Sequence, residues 1–390
     1  MLPLAVSLAL IVFGGTAVLV GHLRLASAPD ALPSDALPSE AGPSEAGPSG
    51  AAQVPGYCTT VPHACGFPDA TNTGVPSGTA LRSVPDQVSS GPGWHFDPKD
   101  GSVVVTANGT VLSGLYIPGD LVVDASDVTV QDVQVVTGGH FGISLTHTTG
   151  VTIEDSTISG QNRTSGRVGS AIDDVYGDST GIVIKNDDIS RFKTGVQIST
   201  GLIADNYVHD PGYIPGDHTN GVYVAGTTEP LTIYGNTIFN NLGQTDDINL
   251  DASSSGQDVA NKIVVDNLLG GGGYSIYGGG TRNDRTWNIV IENNEFGQLY
   301  YQRSGQYGPV AYFDRTGTGN VWSGNVWSRD GWPGGGLPGS GLPVTGWPGT
   351  GLPGTGWPGG GLPVTGWPGT SLPRQAIVGP GAQPSSAVAG

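Results

Sequence analysis

The densest grouping of catalytically useful side chains in this 390-residue chain is the stretch TDDINLD from Thr245. It brings Asp246, Asp247, Asn249 and Asp251 within a few residues of one another. Upstream, GDHTN from Gly216 adds Asp217, His218 and Asn220, and Tyr223 lies three residues past Asn220. Two carboxylates, one with its pKa raised by the other, can act as acid and base across a glycosidic bond, and their separation decides between inversion and retention. The same acids could instead gather three or four oxygens around Ca²⁺, which would neutralise a uronate and acidify its α-proton. Arg282 and Arg285 are the nearest bases for such a lyase step, provided their turn folds back over the acids. The plain alternative is that these acids are solvated turn residues, because acidic clusters mark sites only statistically. The candidate catalytic groups are therefore Asp246, Asp247, Asp251 and His218, with His218 orienting or tuning the carboxylates. Asp217, Asn220, Tyr223, Asn249 and Arg282 are candidate substrate contacts, no cofactor is required, and Ca²⁺ is the metal the oxygen set would suit.

For the two stretches to meet, the chain must bring them side by side, and an internal repeat supplies the means. The pattern apolar–x–apolar–x–(Asp/Asn/Gly)–(Asn/Ser/Asp)–x–apolar occurs at VTVQDVQV from Val128, VTIEDSTI from Val151, IVIKNDDI from Ile182 and GLIADNYV from Gly201. It returns at LTIYGNTI from Leu231, KIVVDNLL from Lys262, IVIENNEF from Ile289 and NVWSGNVW from Asn320. Starts lie 19 to 31 residues apart, the period of a stacked solenoid. Gly201, Lys262 and Asn320 depart from the apolar first slot. Alternating apolar residues give each copy a strand with one buried face. No window holds the 3.6-residue period that a helical bundle needs.

Between copies lies a second short strand: GISL from Gly142, AIDD from Ala171, GVQI from Gly195, GVYV from Gly221, DINL from Asp247 and PVAY from Pro309. A repeat of this size cannot bury its own apolar face, so neighbours must stack. Alternation sets Ile143, Ile172, Val196, Val222, Ile248, Ile276 and Val310 inward. It sets Ser144, Asp173, Gln197, Tyr223, Asn249, Tyr277 and Ala311 outward, and it places Asp247, Asn249 and Asp251 on the outer face with Asp246 at the start of the strand. Asp174 turns inward, where it needs hydrogen bonds or a proton. Asn186, Asp187, Asn206, Asn236, Asn267, Asn294 and Asn325 are expected to tolerate left-handed backbone at sharp corners and to bond up and down the stack as a ladder.

These repeats resemble the right-handed parallel β-helix of the pectate-lyase-like superfamily over roughly residues 101 to 331, a likeness specific for fold and not for reaction. The expected architecture is all-β, a single-stranded right-handed parallel β-helix of about eight coils. The order of its segments is also similar to that of polygalacturonase-type glycoside hydrolases, in which an Asn-Thr-Asp motif, an Asp-Asp pair, a Gly-His-Gly motif and Arg-x-Lys follow one another. HTNGVYV from His218 takes the first place, with Asn220 where that family has a catalytic Asp. Asp246 and Asp247 take the second, glycine replaces the histidine of the third in GGGYSIYGGG from Gly271, and nothing matches the fourth. GFPDATNTGVPSGT from Gly66 resembles the lead-in of uncharacterised secreted bacterial β-helix proteins.

Composition agrees with a turn-rich all-β chain: 66 Gly and only 12% charged residues. The formal charge of −18 leaves no basic stripe for nucleic acid, and a polyanionic substrate would be repelled unless a cation intervened. Leu2 to Val20 is an apolar run that reads as a signal peptide or membrane anchor over 1–28, the one route to a membrane. A Pro/Ser/acidic linker over 29–56 carries four (Asp/Glu)-Ala-(Leu/Gly)-Pro-Ser pentapeptides. Residues 57–100 are expected to form an N-terminal cap, pinned in an oxidising compartment by a disulfide between Cys58 and Cys65. From 332 to 390 a Gly/Pro/Trp pentapeptide tail, similar to elastin-like sequences, reads as a disordered string of turns. Its LPVTG and LPGTG matches to the sortase signal lack the apolar and basic residues that should follow, and they read as by-products of the repeat.

Trp332, Trp347, Trp357 and Trp367 of that tail could stack on sugars or wall polymer, or be exposed spacers. Tyr300, Tyr301, Tyr307 and Tyr312, with Arg303 and Arg315, could form a sugar-stacking platform or close the apolar end of the solenoid. His140, His147 and His209 are isolated in sequence. The sequence thus leads to an extracellular or cell-surface protein whose partner is an extracellular polysaccharide, with hydrolysis by an Asp pair as the first expectation. A non-catalytic glycan-binding or structural β-helix and a Ca²⁺-dependent lyase are its rivals.

Overall fold

A computed structural model of the chain describes residues 57–161, 168–250, 258–280 and 286–328. The expected leader, linker and pentapeptide tail, and with them the tail tryptophans, Asp251, Arg282 and Arg285, lie outside these residues. The described chain is a nearly all-β parallel solenoid of about seven turns with almost no helix.

Each full turn has three strands, shown by Leu231–Tyr234, Thr237–Asn240 and Asp246–Leu250. The first is the apolar alternation of the repeat, the second begins just past its Asx corner, and the third is the short strand between copies. Each pairs in parallel with its counterparts above and below, so that Ile203, Ile233 and Val264 align, as do Val208, Ile238 and Leu269, and Val222, Ile248 and Ile276. Complete turns run from Thr129 to Ala311. The eighth copy of the repeat contributes first and second strands, Val321–Ser323 and Val326–Trp327, without a third among the described residues. All inward positions expected of the third strands are buried except Val310, which is half-buried.

The corner between first and second strands divides its work between two residues. Asp155, Asn186, Asp205, Asp266 and Asn293 have φ between 50° and 59°, and Gly235 and Gly324 take the same left-handed conformation. Each sits one residue before the ladder position, so it is this residue, and among the expected corner residues only Asn186, that carries the left-handed backbone. The next residue turns its side chain inside. Asn206 donates its backbone N–H and its amide to Oδ1 of Asn236 at 2.9 and 3.0 Å. Asn236, Asn267 and Asn294 repeat both bonds to Asn267, Asn294 and Asn325 at 2.9 to 3.0 Å. Each amide also caps a first-strand carbonyl one turn below, Ile203 for Asn236 and Ile233 for Asn267, both at 3.0 Å. A buried column of hydrogen bonds therefore runs the length of the stack, and every polar atom of its middle rungs is satisfied.

Asp187 stands in this column as an acid among amides. Its Oδ1 accepts from Ser156 N–H at 2.7 Å, while Oδ2 takes the place of the amide nitrogen and finds no partner. Burial raises its pKa well above the ordinary carboxylate value despite the Ser156 bond. Two of the three looser first slots, Lys262 and Asn320, are also accounted for. Lys262 is fully buried and its ammonium donates to Ser199 O at 3.0 Å, Thr227 Oγ1 at 3.2 Å and Glu229 O. Desolvation lowers its pKa to about 8 against the pull of Glu229. Asn320 accepts from Ile289 N–H and donates to Thr286 and Asp314.

The N-terminal end of the stack is closed by an antiparallel ribbon. Ser90–Gly91 pairs with Trp94–Asp97, which pairs with Ser102–Val105 and buries Trp94 on the core. The disulfide segment does something other than the expected capping. Cys58 and Cys65 are bonded, with Cα atoms 5.5 Å apart, and the stapled head lies on the flank of the late turns. Phe67 packs with Phe239 and Leu268, a burial worth about 2 kcal/mol. Further along, Gly74 N–H donates to Asn186 O at 2.9 Å and Val75 N–H to Thr157 Oγ1 at 3.1 Å. Residues 57–75 thus run as a strap along the outer side of the second strands, drawn there by an apolar patch, while Trp94 already covers the stack's end.

Two outcomes follow for the column. Asn236→Ala strips Asn206 and Ile203 of partners in a dry interior and should cost about 3 kcal/mol or more, read as a fall in the denaturation midpoint. Asp187→Asn restores the missing amide and should stabilise at neutral pH. The native state keeps a proton that the unfolded chain releases once pH rises above the ordinary carboxylate value, so wild-type stability falls as pH climbs from there. Urea titrations at acidic and neutral pH should show the gain from Asp187→Asn growing with pH.

Candidate functional site

The third strands do not alternate simply. In each, the first and fourth residues face out and the middle two face in. Gly142, Gly195 and Gly221 occupy the second position, where an added Cβ would come within 2.9 Å of Ile158, 2.7 Å of Val208 and 2.3 Å of Ile238. The outward pairs bond or touch across this step: Asn249 donates to Asp246 at 3.0 Å, and Tyr274 meets Tyr277 with ring centroids 5.7 Å apart. Two outer rows result. One runs through Ser170, Thr194, Asn220, Asp246 and Tyr274, the other through Ser144, Asp173, Gln197, Tyr223, Asn249, Tyr277 and Ala311.

This step separates the acid pair. Asp246 lies in the outer row beside Asn220, whose turn is tied to it by Asp246 N–H donating to Thr219 O at 3.2 Å. With its amide nitrogen toward the carboxylate, the orientation that satisfies both side chains, Asn220 donates to both Asp246 oxygens at 3.1 Å. Asp247, expected on the outer face, turns inward instead. It is 0% exposed, its Oδ1 accepts from Asn240 N–H at 3.1 Å, and Ser275 bonds its side chain. Burial raises its pKa well above the ordinary value against the bonds from Ser275, Asn240 and Gly270. The reason for the departure is the inward second position, which its neighbours in the stack fill with Gly, Ala or Ser. Asp246 is also 0% exposed, so neither acid meets solvent.

The other expected site residues divide. Tyr223 and Asn249 are adjacent, half-buried members of the second outer row. Asp217 is buried and accepts from Ile214 N–H at 3.0 Å, closing its own turn. His218 is exposed on the same turn. Asp251 and Arg282 lie outside the described residues. Among the described residues no three His, Cys, Asp or Glu side chains converge as a metal site requires. Asp173 stands in the outer row three turns before Asn249 yet is 3% exposed, and burial lifts its pKa to about 6, opposed by Ser170 and aided by Asp174. Asp174 is buried as expected and accepts from Ser179 N–H at 3.1 Å.

The tyrosines part into two groups. Tyr307 and Tyr312, 53% and 45% exposed, join Tyr274 and Tyr277 in one cluster on the outer third face, with Tyr277 and Tyr312 stacked at 5.6 Å. Tyr300 packs instead on Phe239, next to the strap. His209, isolated in sequence, is held on the second face between Asp188 at 3.1 Å and Asp210 at 2.9 Å and stacks on Tyr207 at 4.0 Å. Burial would lower its pKa, but the two carboxylates outweigh it and raise it. Only the register of adjacent turns reveals this grouping.

Asp173 gives the site a measurable signature. Between about pH 4 and pH 6 the unfolded chain loses a proton that the native state keeps, so stability falls as pH rises through that window, by about 3 kcal/mol at most at about 1.4 kcal/mol per unit. Asp173→Asn should flatten that segment of the stability profile and leave the protein more stable at pH 7. In comparisons with family models, curated proteins and solved structures, nothing matches this chain.

Proposed function

We propose that this chain is an exported polysaccharide-binding solenoid that holds glycan on the outer face of its third strands without cleaving it. The observation that carries this reading is the track of amides and tyrosines on that face. Gln197, Tyr223, Asn249 and Tyr277 follow one another on successive turns, and the exposed rings of Tyr307 and Tyr312 widen the track at its C-terminal end. Aromatic faces give sugars an apolar surface, and side-chain amides give their hydroxyls donors and acceptors. Asp246 serves this track by fixing the amides of Asn220 and Asn249. Acid–base cleavage of a glycosidic bond needs two carboxyl groups facing one bond, and Asp246 and Asp247 face opposite sides of their strand. The disulfide and the N-terminal apolar run support an extracellular location.

Incubating the full chain with a panel of soluble polysaccharides should show retarded migration with one class and no new reducing ends. Tyr307→Ala combined with Tyr312→Ala should weaken binding about tenfold, the loss of one or two stacking contacts. Asp246→Asn with Asp247→Asn should leave the polysaccharide as intact as the wild-type chain does. New reducing ends that vanish in that double variant would overturn the binding reading in favour of hydrolysis, and unsaturated products would return a lyase.

A further inference from the structure

The spacing of the track defines what it can hold. Strands in a sheet lie about 4.8 Å apart, so Tyr223 and Tyr277, two turns apart with Asn249 between them, repeat at about 9.6 Å along the stack. A pyranose chain joined through equatorial bonds advances by close to one strand spacing per sugar and reverses its face at each step. It therefore offers the same ring face at every second sugar, the length of an extended disaccharide. A chain joined through one axial and one equatorial bond, as in α-1,4-glucan, coils and loses this match after a few units.

We propose that the outer third face binds an extended, uncharged, equatorially β-linked polysaccharide lying along the solenoid axis, with Tyr223 and the stacked Tyr277–Tyr312 ring pair meeting sugars one disaccharide apart. This rests on the glycan-binding reading above. The amide between them serves the intervening sugar: Asn249 gives its nitrogen to Asp246 at 3.0 Å, which leaves its carbonyl oxygen to accept from a hydroxyl. One turn before Tyr223, Gln197 repeats the amide, so the order along the track is amide, ring, amide, ring. The charge of the ligand follows from the surroundings. The track carries no Lys or Arg, it is bordered by Asp246, and the chain's formal charge is −18, so a polyuronate would be repelled along its whole length.

Calorimetry on the full chain with β-1,4-linked gluco- and N-acetylglucosamine oligosaccharides, from the disaccharide to the hexasaccharide, tests this directly. Affinity should climb with length until both rings are spanned. Tyr223→Ala and Tyr277→Ala should each lower affinity for the longer oligomers about tenfold, while Tyr223→Phe, which keeps the ring, binds as wild type. Unchanged thermal midpoints in these variants separate lost stacking from lost folding. Equal or tighter binding of maltooligosaccharides or oligogalacturonates, or indifference to Tyr223→Ala, would overturn the inference and leave glycan binding standing. Failure of every glycan to bind would remove both.

Discussion

The buried amide column at the corner between first and second strands is the constraint on which the rest of the molecule depends. Backbone pairing alone permits a strand to slip by a residue, and such a slip would carry every side chain to the opposite face. The column forbids it, because each asparagine must meet Oδ1 of the next and a carbonyl of the turn below. Its inward position is fixed by the left-handed residue before it, which turns the chain so sharply that the following side chain enters the interior. Hydrophobic packing fills the stack, but it is largely interchangeable among Val, Ile and Leu. The register is set by polar groups that have one satisfactory arrangement.

Register in turn creates the outer face. Because turns are locked in phase, the fourth residue of each third strand lies above the fourth of the one before, and a scattered set of residues becomes a continuous track. The same locking places Asn220 against Asp246 and so settles a carboxylate that would otherwise need solvent or a counter-ion. Buried acids are frequent here: Asp173, Asp187 and Asp247 all have raised pKa values caused first by desolvation. Each is accommodated most cheaply with its proton on, so their burial weighs more heavily on the fold as pH rises.

The repeat, its period and the inward apolar positions were legible because they are periodic. The neighbourhood of the HTN turn and the DDINL strand was legible for the same reason. The orientation of Asp247 was not, since strict alternation is a property of regular strands and the third strands begin with an irregular step. A signal was present in Gly142, Ala171, Gly195, Gly221 and Ser275, each one place before an inward aliphatic, because a run of small residues marks a position that faces the crowded interior. Asp188 could be joined to the neighbouring pair His209 and Asp210 only after register was known. The course of the strap was invisible, because nothing local in Cys58 to Val75 says that Phe239 and Leu268 are its partners.

That strap has a consequence for how the molecule is made. Thr59 reaches Gly297 and Phe67 reaches Leu268, so the earliest described segment finds its seat only when the latest turns exist. A solenoid otherwise grows by nearest-neighbour contacts and can nucleate anywhere. The stapled head, with Phe67 just beyond its closed loop, has its apolar seat on Phe239 and Leu268 only once those turns are in place. Final docking then acts as a check on completion, since a stack that stops short offers the head no place to land.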